Sequence, residues 1–90
     1  MIDHVMVSYG QDDGFEMFGG TVGPKHVISL GSRDDDFDTD YGYSGKLQYL
    51  VALRDPDIAD QSSSNSFESD NDGSGTLNEP ITSPTWWNVT

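Results

Sequence analysis

The chain has no cysteine. That excludes a disulfide framework, a thiolate metal site and a cysteine nucleophile. It is also short of positive charge, with 4 basic residues against 16 acidic ones and a formal net charge of −12. Such a surface repels phosphate backbones and anionic lipid, so neither nucleic acid nor membrane insertion is expected. No run approaches the ~18 apolar residues of a membrane-spanning helix. No leucine stripe at helical spacing is present either. Met1-Ile2-Asp3-His4 carries neither the basic region nor the apolar core of a signal peptide. Hydrophobic residues make up 33% of the 90, and glycine is high at 10. A thin-cored, turn-rich structure follows. Aromatics at 11% argue against full disorder.

What is present is written twice. Asp12-Asp13-Gly14-Phe15-Glu16 returns as Asp34-Asp35-Asp36-Phe37-Asp38, and His4-Val5 returns as His26-Val27. Both pairs share an offset of 22 residues. A fixed period in this range marks a chain that stacks one structural unit on the next. Each copy reads as a short β-branched strand, an acidic turn, a second short strand and a glycine. Strand and turn in alternation suit a coil of parallel strands, each laid on the coil below at ~4.8 Å. The expected fold is all-β, a right-handed parallel β-helix fragment of about three coils with long loops.

The units fall at about 3–24, 25–66 and 67–90, the second carrying an inserted strand and loop. That inserted strand is Ser44 to Leu53. Its alternation predicts Leu47, Tyr49, Val51 and Leu53 on one face, with Lys46, Gln48, Leu50 and Ala52 on the other. The serine run Ser62-Ser63-Ser64 reads as mobile loop. Phe67-Glu68 begins a third copy of the phenylalanine–acid strand. Asn88-Val89 takes the slot of His4-Val5, so the chain stops as a new strand begins. It reads as one β-helix segment of a longer protein, with exposed apolar ends open to self-association.

Stacking predicts columns. Phe15, Phe37 and Phe67 form an interior aromatic ladder, and Val5, Val27 and Val89 a second. His4, His26 and Asn88 line a third. Two histidines could make a metal pair, but no third nitrogen ligand accompanies them, and a satisfied stack explains them as well.

The acidic column carries the candidate site. Glu16, Asp38 and Glu68 fall one above another, as do Asp12 with Asp34 and Asp13 with Asp35. Like charges directly opposite on neighbouring strands are destabilising. Either the side chains splay into water or a cation sits between them. Calcium, bound by several oxygens at ~2.3–2.6 Å, is the cofactor that fits; a solvated acidic turn is the bland alternative. A second calcium candidate, Asp70 with Asp72, lies in Asp70-Asn71-Asp72-Gly73-Ser74-Gly75. It matches the start of an EF-hand loop but has Ile81 where the last ligand belongs.

No catalytic motif stands out: there is no Gly-x-Ser-x-Gly, phosphate loop or His-Glu-x-x-His. Acid pairs suited to glycoside cleavage are unavoidable among so many carboxylates. Lys46 and Arg54 could meet a uronate, although pairing with the surrounding acids explains them better. Trp86 and Trp87 are the candidate sugar-stacking residues. Alternation would send one inward and one outward.

The run from Asp12 to Val22, then Val27, Asp34-Asp35-Asp36-Phe37-Asp38 and Tyr43-Ser44-Gly45-Lys46, resembles large secreted bacterial proteins with right-handed parallel β-helix repeats. These are typical of the Bacteroidetes group and often carry a type IX secretion sorting domain. Nearly the whole chain is covered. Tyr43 stands where that pattern has tryptophan, and Asp60 to Glu68 departs from it. The resemblance implies export and a cell-surface or extracellular location, in a group loosely described as adhesins, with this chain an internal fragment. A polysaccharide or cell-surface glycan is the candidate partner. The resemblance supplies no catalytic residues. Parallel β-helices include polysaccharide lyases and hydrolases as well as passive stalks, so an enzyme fragment is the second reading.

Overall fold

A computed structural model describes residues 1–90. The secondary structure is seven strands and no helix: β1 (Asp3–Ser8), β2 (Phe15–Phe18), β3 (Lys25–Leu30), β4 (Phe37–Asp40), β5 (Lys46–Leu53), β6 (Phe67–Ser69) and β7 (Thr85–Val89). They form two sheets, ordered β1-β3-β5-β7 and β2-β4-β6, and every pair is parallel. The chain alternates between the sheets, so each odd and even strand together make one coil. This is the expected parallel β-helix fragment.

Lys46–Leu53 is not an insert in the second unit. It pairs with β3 on one side and β7 on the other, and therefore opens a coil of its own. The unit expected over 25–66 divides at this strand. The reason is register: Val27 pairs with Leu50, which pairs with Val89. The second ladder is thus Val5, Val27, Leu50 and Val89.

The alternation read along β5 also changes. Leu47 and Leu50 are both fully buried, while Tyr49 and Leu53 are exposed. Tyr49 has a φ of 61°. One left-handed residue within a strand shifts the two-residue period by one and bends the chain. His4, His26 and Asn88 have φ values of 54°, 51° and 56°. Each lies just before a member of the Val5–Val27–Leu50–Val89 ladder, as Tyr49 does. All four strands of the larger sheet therefore turn at one column.

Core burial sits in the middle coils. Val27, Phe37, Tyr43, Leu47 and Leu50 form it, flanked by Phe15, Met17, Ala52, Phe67 and Trp86. The phenylalanine ladder is present: Phe15 stacks on Phe37 at 5.4 Å between centroids and Phe37 on Phe67 at 5.2 Å. Trp86 meets Phe67 edge-on at 5.1 Å. Tyr43 donates its hydroxyl to the Val22 carbonyl at 2.6 Å, which satisfies the one polar atom of that buried ring.

Under the acidic turn lies a polar core. The Asp36 side chain is wholly buried and accepts from the Ser29 hydroxyl at 2.6 Å and from Arg54 at 3.0 Å. Arg54 also donates to the carbonyls of Asp34 and Asn65, tying two coils together. The turn fits only because Gly14 has no side chain: a Cβ there would lie 2.7 Å from the Asp36 carbonyl and 2.8 Å from the Ser32 hydroxyl. Gly14→Ala is expected to destabilise the fold by about 1–3 kcal/mol through overpacking, read as a lower urea midpoint. An unchanged midpoint would mean that the turn yields freely.

Candidate functional site

The smaller sheet lays Glu16, Asp38 and Glu68 in direct register. They alternate with Phe15, Phe37 and Phe67, which the core claims, so the acids point to the opposite face. The preceding turns add a parallel row. Asp13 accepts from the Asp35 amide at 2.9 Å, and Gly14 donates to the Asp35 carbonyl at 2.8 Å. The carboxylate oxygens fall into three overlapping groups whose ligand atoms lie within 4.8 Å of one another: Asp12, Asp13 and Asp34; Asp13, Glu16 and Asp38; Asp35, Asp38 and Glu68. The structure thus brings together all seven acids expected on the column.

Asp38 belongs to two of these groups and is 7% exposed. Its Oδ1 is buried without a hydrogen-bond partner. Desolvation first, and then the Asp13 charge, pushes its carboxyl up to about 6. Glu68 is pushed up to about 7, chiefly by a hydrogen bond shared with Asp35 and by burial. Burial also raises Glu16 and Asp13, with neighbouring carboxylates adding to it. No lysine or arginine forms an ion pair with Asp13, Glu16, Asp38 or Glu68; Arg54 is committed to Asp36. The column offers only oxygen donors, held close, partly dehydrated and uncompensated. A hard cation such as calcium fits that donor set.

The loop from Arg54 to Ser66 lies over the column. Ser62 donates to Asp34, Ser64 to the Arg33 carbonyl, and the Asn65 amide to Asp35. The serine run expected to be mobile is therefore hydrogen-bonded to the site. Asp36 and Asp40, not among the candidates from sequence, behave differently from each other. Asp36 is consumed by Ser29 and Arg54, whereas Asp40 leaves a buried Oδ1 unpartnered. The 22-residue repeat gives neither an acidic counterpart, since Asp36 aligns with Gly14 and Asp40 with Phe18.

Asp70 and Asp72 are not brought into such a group. The Asp72 carboxylate is occupied within its own loop by the amides of Ser74 and Thr76 and by the Thr76 hydroxyl. The Thr76 side chain holds its carboxyl below the usual range. The tryptophans divide: Trp86 packs on the core, and Trp87 pairs with Gln48 in register, half-buried. Lys46 opens β5, exposed, and forms no ion pair with an acid.

A separate group stands on the bend of the larger sheet. Asp3 Oδ1 lies 2.9 Å from His4 Nδ1 and 2.8 Å from His26 Nδ1. The imidazoles stack at 4.5 Å, and His26 stacks on Tyr49 at 4.7 Å. The expected histidine column is present, with Tyr49 between His26 and Asn88. Asp3 was not anticipated; its only signal was an acid next to the first histidine.

No curated protein and no solved structure matches the chain. The parallel two-sheet coil agrees with one family, described as a pectate-lyase-like β-helix domain, whose sequence model matches residues 1–90. The chain belongs to that family.

Proposed function

We propose that this chain is a non-catalytic structural or adhesive β-helix segment of a secreted or cell-surface protein, stabilised by calcium on its acidic column. One observation carries the reading: Asp38, buried with an unpartnered Oδ1, lies among four other carboxylates that no basic side chain offsets. A purely structural site would have paired that atom. Calcium between Asp13, Glu16, Asp35, Asp38 and Glu68 would turn repulsion between coils into a tie. Glycan is the proposed surface partner, with Trp87, which does not pack on the core, the candidate platform in the strand.

The second reading is a piece of a polysaccharide-acting lyase or hydrolase, favoured by the family description. One experiment separates them. Calcium at about 100 times its Kd is expected to stabilise the fold by ~2.7 kcal/mol, a melting shift of about 10–20 °C. A uronate polymer, followed by absorbance of its unsaturated product, is expected to remain intact with or without calcium. Turnover that disappears in Lys46→Ala, together with a melting temperature indifferent to calcium, would establish the enzyme instead.

A further inference from the structure

We propose that Asp3, His4 and His26 form a binding site for a transition ion of the zinc class, on the bend of the larger sheet and apart from the acidic column. Three different side chains direct a ligand atom to one point. Asp3 Oδ1 is within 2.9 Å of both Nδ1 atoms, and all three atoms lie within 4.8 Å of one another. Two imidazole nitrogens and one carboxylate are donors that zinc takes in three-ligand sites, with further positions left to water. Calcium takes oxygen, so this donor set selects a different metal from the column's.

The two oxygen–nitrogen distances are near those of a loaded site. Bonds of ~2.0–2.1 Å in a tetrahedral arrangement put ligand atoms roughly 3.3 Å apart. The Asp3 oxygen would move about 0.5 Å from each nitrogen to admit the ion. Room exists for this, since the side chains of His4, His26 and Asp3 are 75%, 41% and 32% exposed. The rings are already ordered. Both histidines are in the left-handed region, His26 is sandwiched between His4 and Tyr49, and the His4–His26 planes differ by only 19°. Near-parallel planes cannot both direct an Nδ1 lone pair at one ion, so His4, the more exposed ring, must tilt out of the stack to bind. Water completes the coordination and leaves an open position for a second ligand.

The test uses zinc alone, titrated calorimetrically into the chain in excess calcium so that the acidic column is filled. The proposal expects one zinc per chain and an imidazole nitrogen shift at both histidines by NMR. His4→Asn, His26→Asn and Asp3→Asn should each weaken binding by about tenfold or more. Asparagine suits the test, because Asn88 holds the same bend with φ 56° and the backbone needs no change. Far-UV circular dichroism of each variant checks that the coil is intact. No zinc uptake, or uptake of equal strength in the three variants, would overturn the proposal and leave Asp3 as a hydrogen-bond acceptor between two rings. Neither result bears on the calcium reading.

Discussion

Asp38→Asn is expected to make the calcium-free protein more stable at neutral pH and to abolish most of its calcium response. Asp38 is held among carboxylates with its Oδ1 unpartnered, and its carboxyl is raised to about 6. The folded chain therefore keeps a proton there that the unfolded chain releases at an ordinary value of 3.8. A raised folded-state value gives stability that is complete below the unfolded value and declines as pH rises towards the folded one. Glu68, raised to about 7 from 4.5, acts in the same sense. In chelator, the melting temperature should fall as pH rises from about 4 to 7. Asparagine removes the charge, keeps the shape and gives the neighbouring carboxylates a donor. Allowing for solvent screening of the column, the gain is about 1–2 kcal/mol, or roughly 5–10 °C. Thermal melts of both proteins, with chelator and with calcium, provide the check. A less stable variant in chelator would mean that the charge is already compensated.

Phe37→Ala should have the largest effect of any single substitution. Its ring is fully buried and stacked on both sides, within 8° of Phe15's plane and 16° of Phe67's. Truncation removes contacts between three coils at once, at a cost of about 3–5 kcal/mol. Five hydrophobic residues make up the fully buried core, so little remains to close the cavity. A small domain has about 5–15 kcal/mol in total. The melting temperature should drop by about 20 °C or more, with loss of the strand signal at physiological temperature. Phe15→Ala, which loses one stacking partner rather than two, provides the comparison and should cost less. Equal losses for the two would mean that stacking along the coil does not control stability.

Both effects were visible in outline from spacing alone. A 22-residue period places Phe15 on Phe37 and Glu16 on Asp38 without any coordinates, because parallel strands in register stack equivalent residues. The period also predicted the histidine column. It failed where the backbone departs from plain strand. Alternation put Tyr49 on the face of Leu47, but the left-handed turn at Tyr49 restarts the count and sends Leu50 inward. No propensity rule favours tyrosine in that conformation, so no local signal announced it. The coil opened by Lys46 was missed for a related reason: its 23-residue spacing from β3 comes without the His-Val marker. Asp3 escaped because its partner lies diagonally across the rungs rather than directly above. Arg54, by contrast, was expected to pair with an acid and does, although only the structure could choose Asp36 among so many.

The bend at His4, His26, Tyr49 and Asn88 has an evolutionary consequence. Glycine would hold that conformation with less strain, yet none of the four strands uses it. Copying one 22-residue module duplicates the turn and the ring mounted on it in a single event. Scaffold length and the outward row of side chains therefore grow together, and a lineage that adds coils lengthens that row without redesigning the frame.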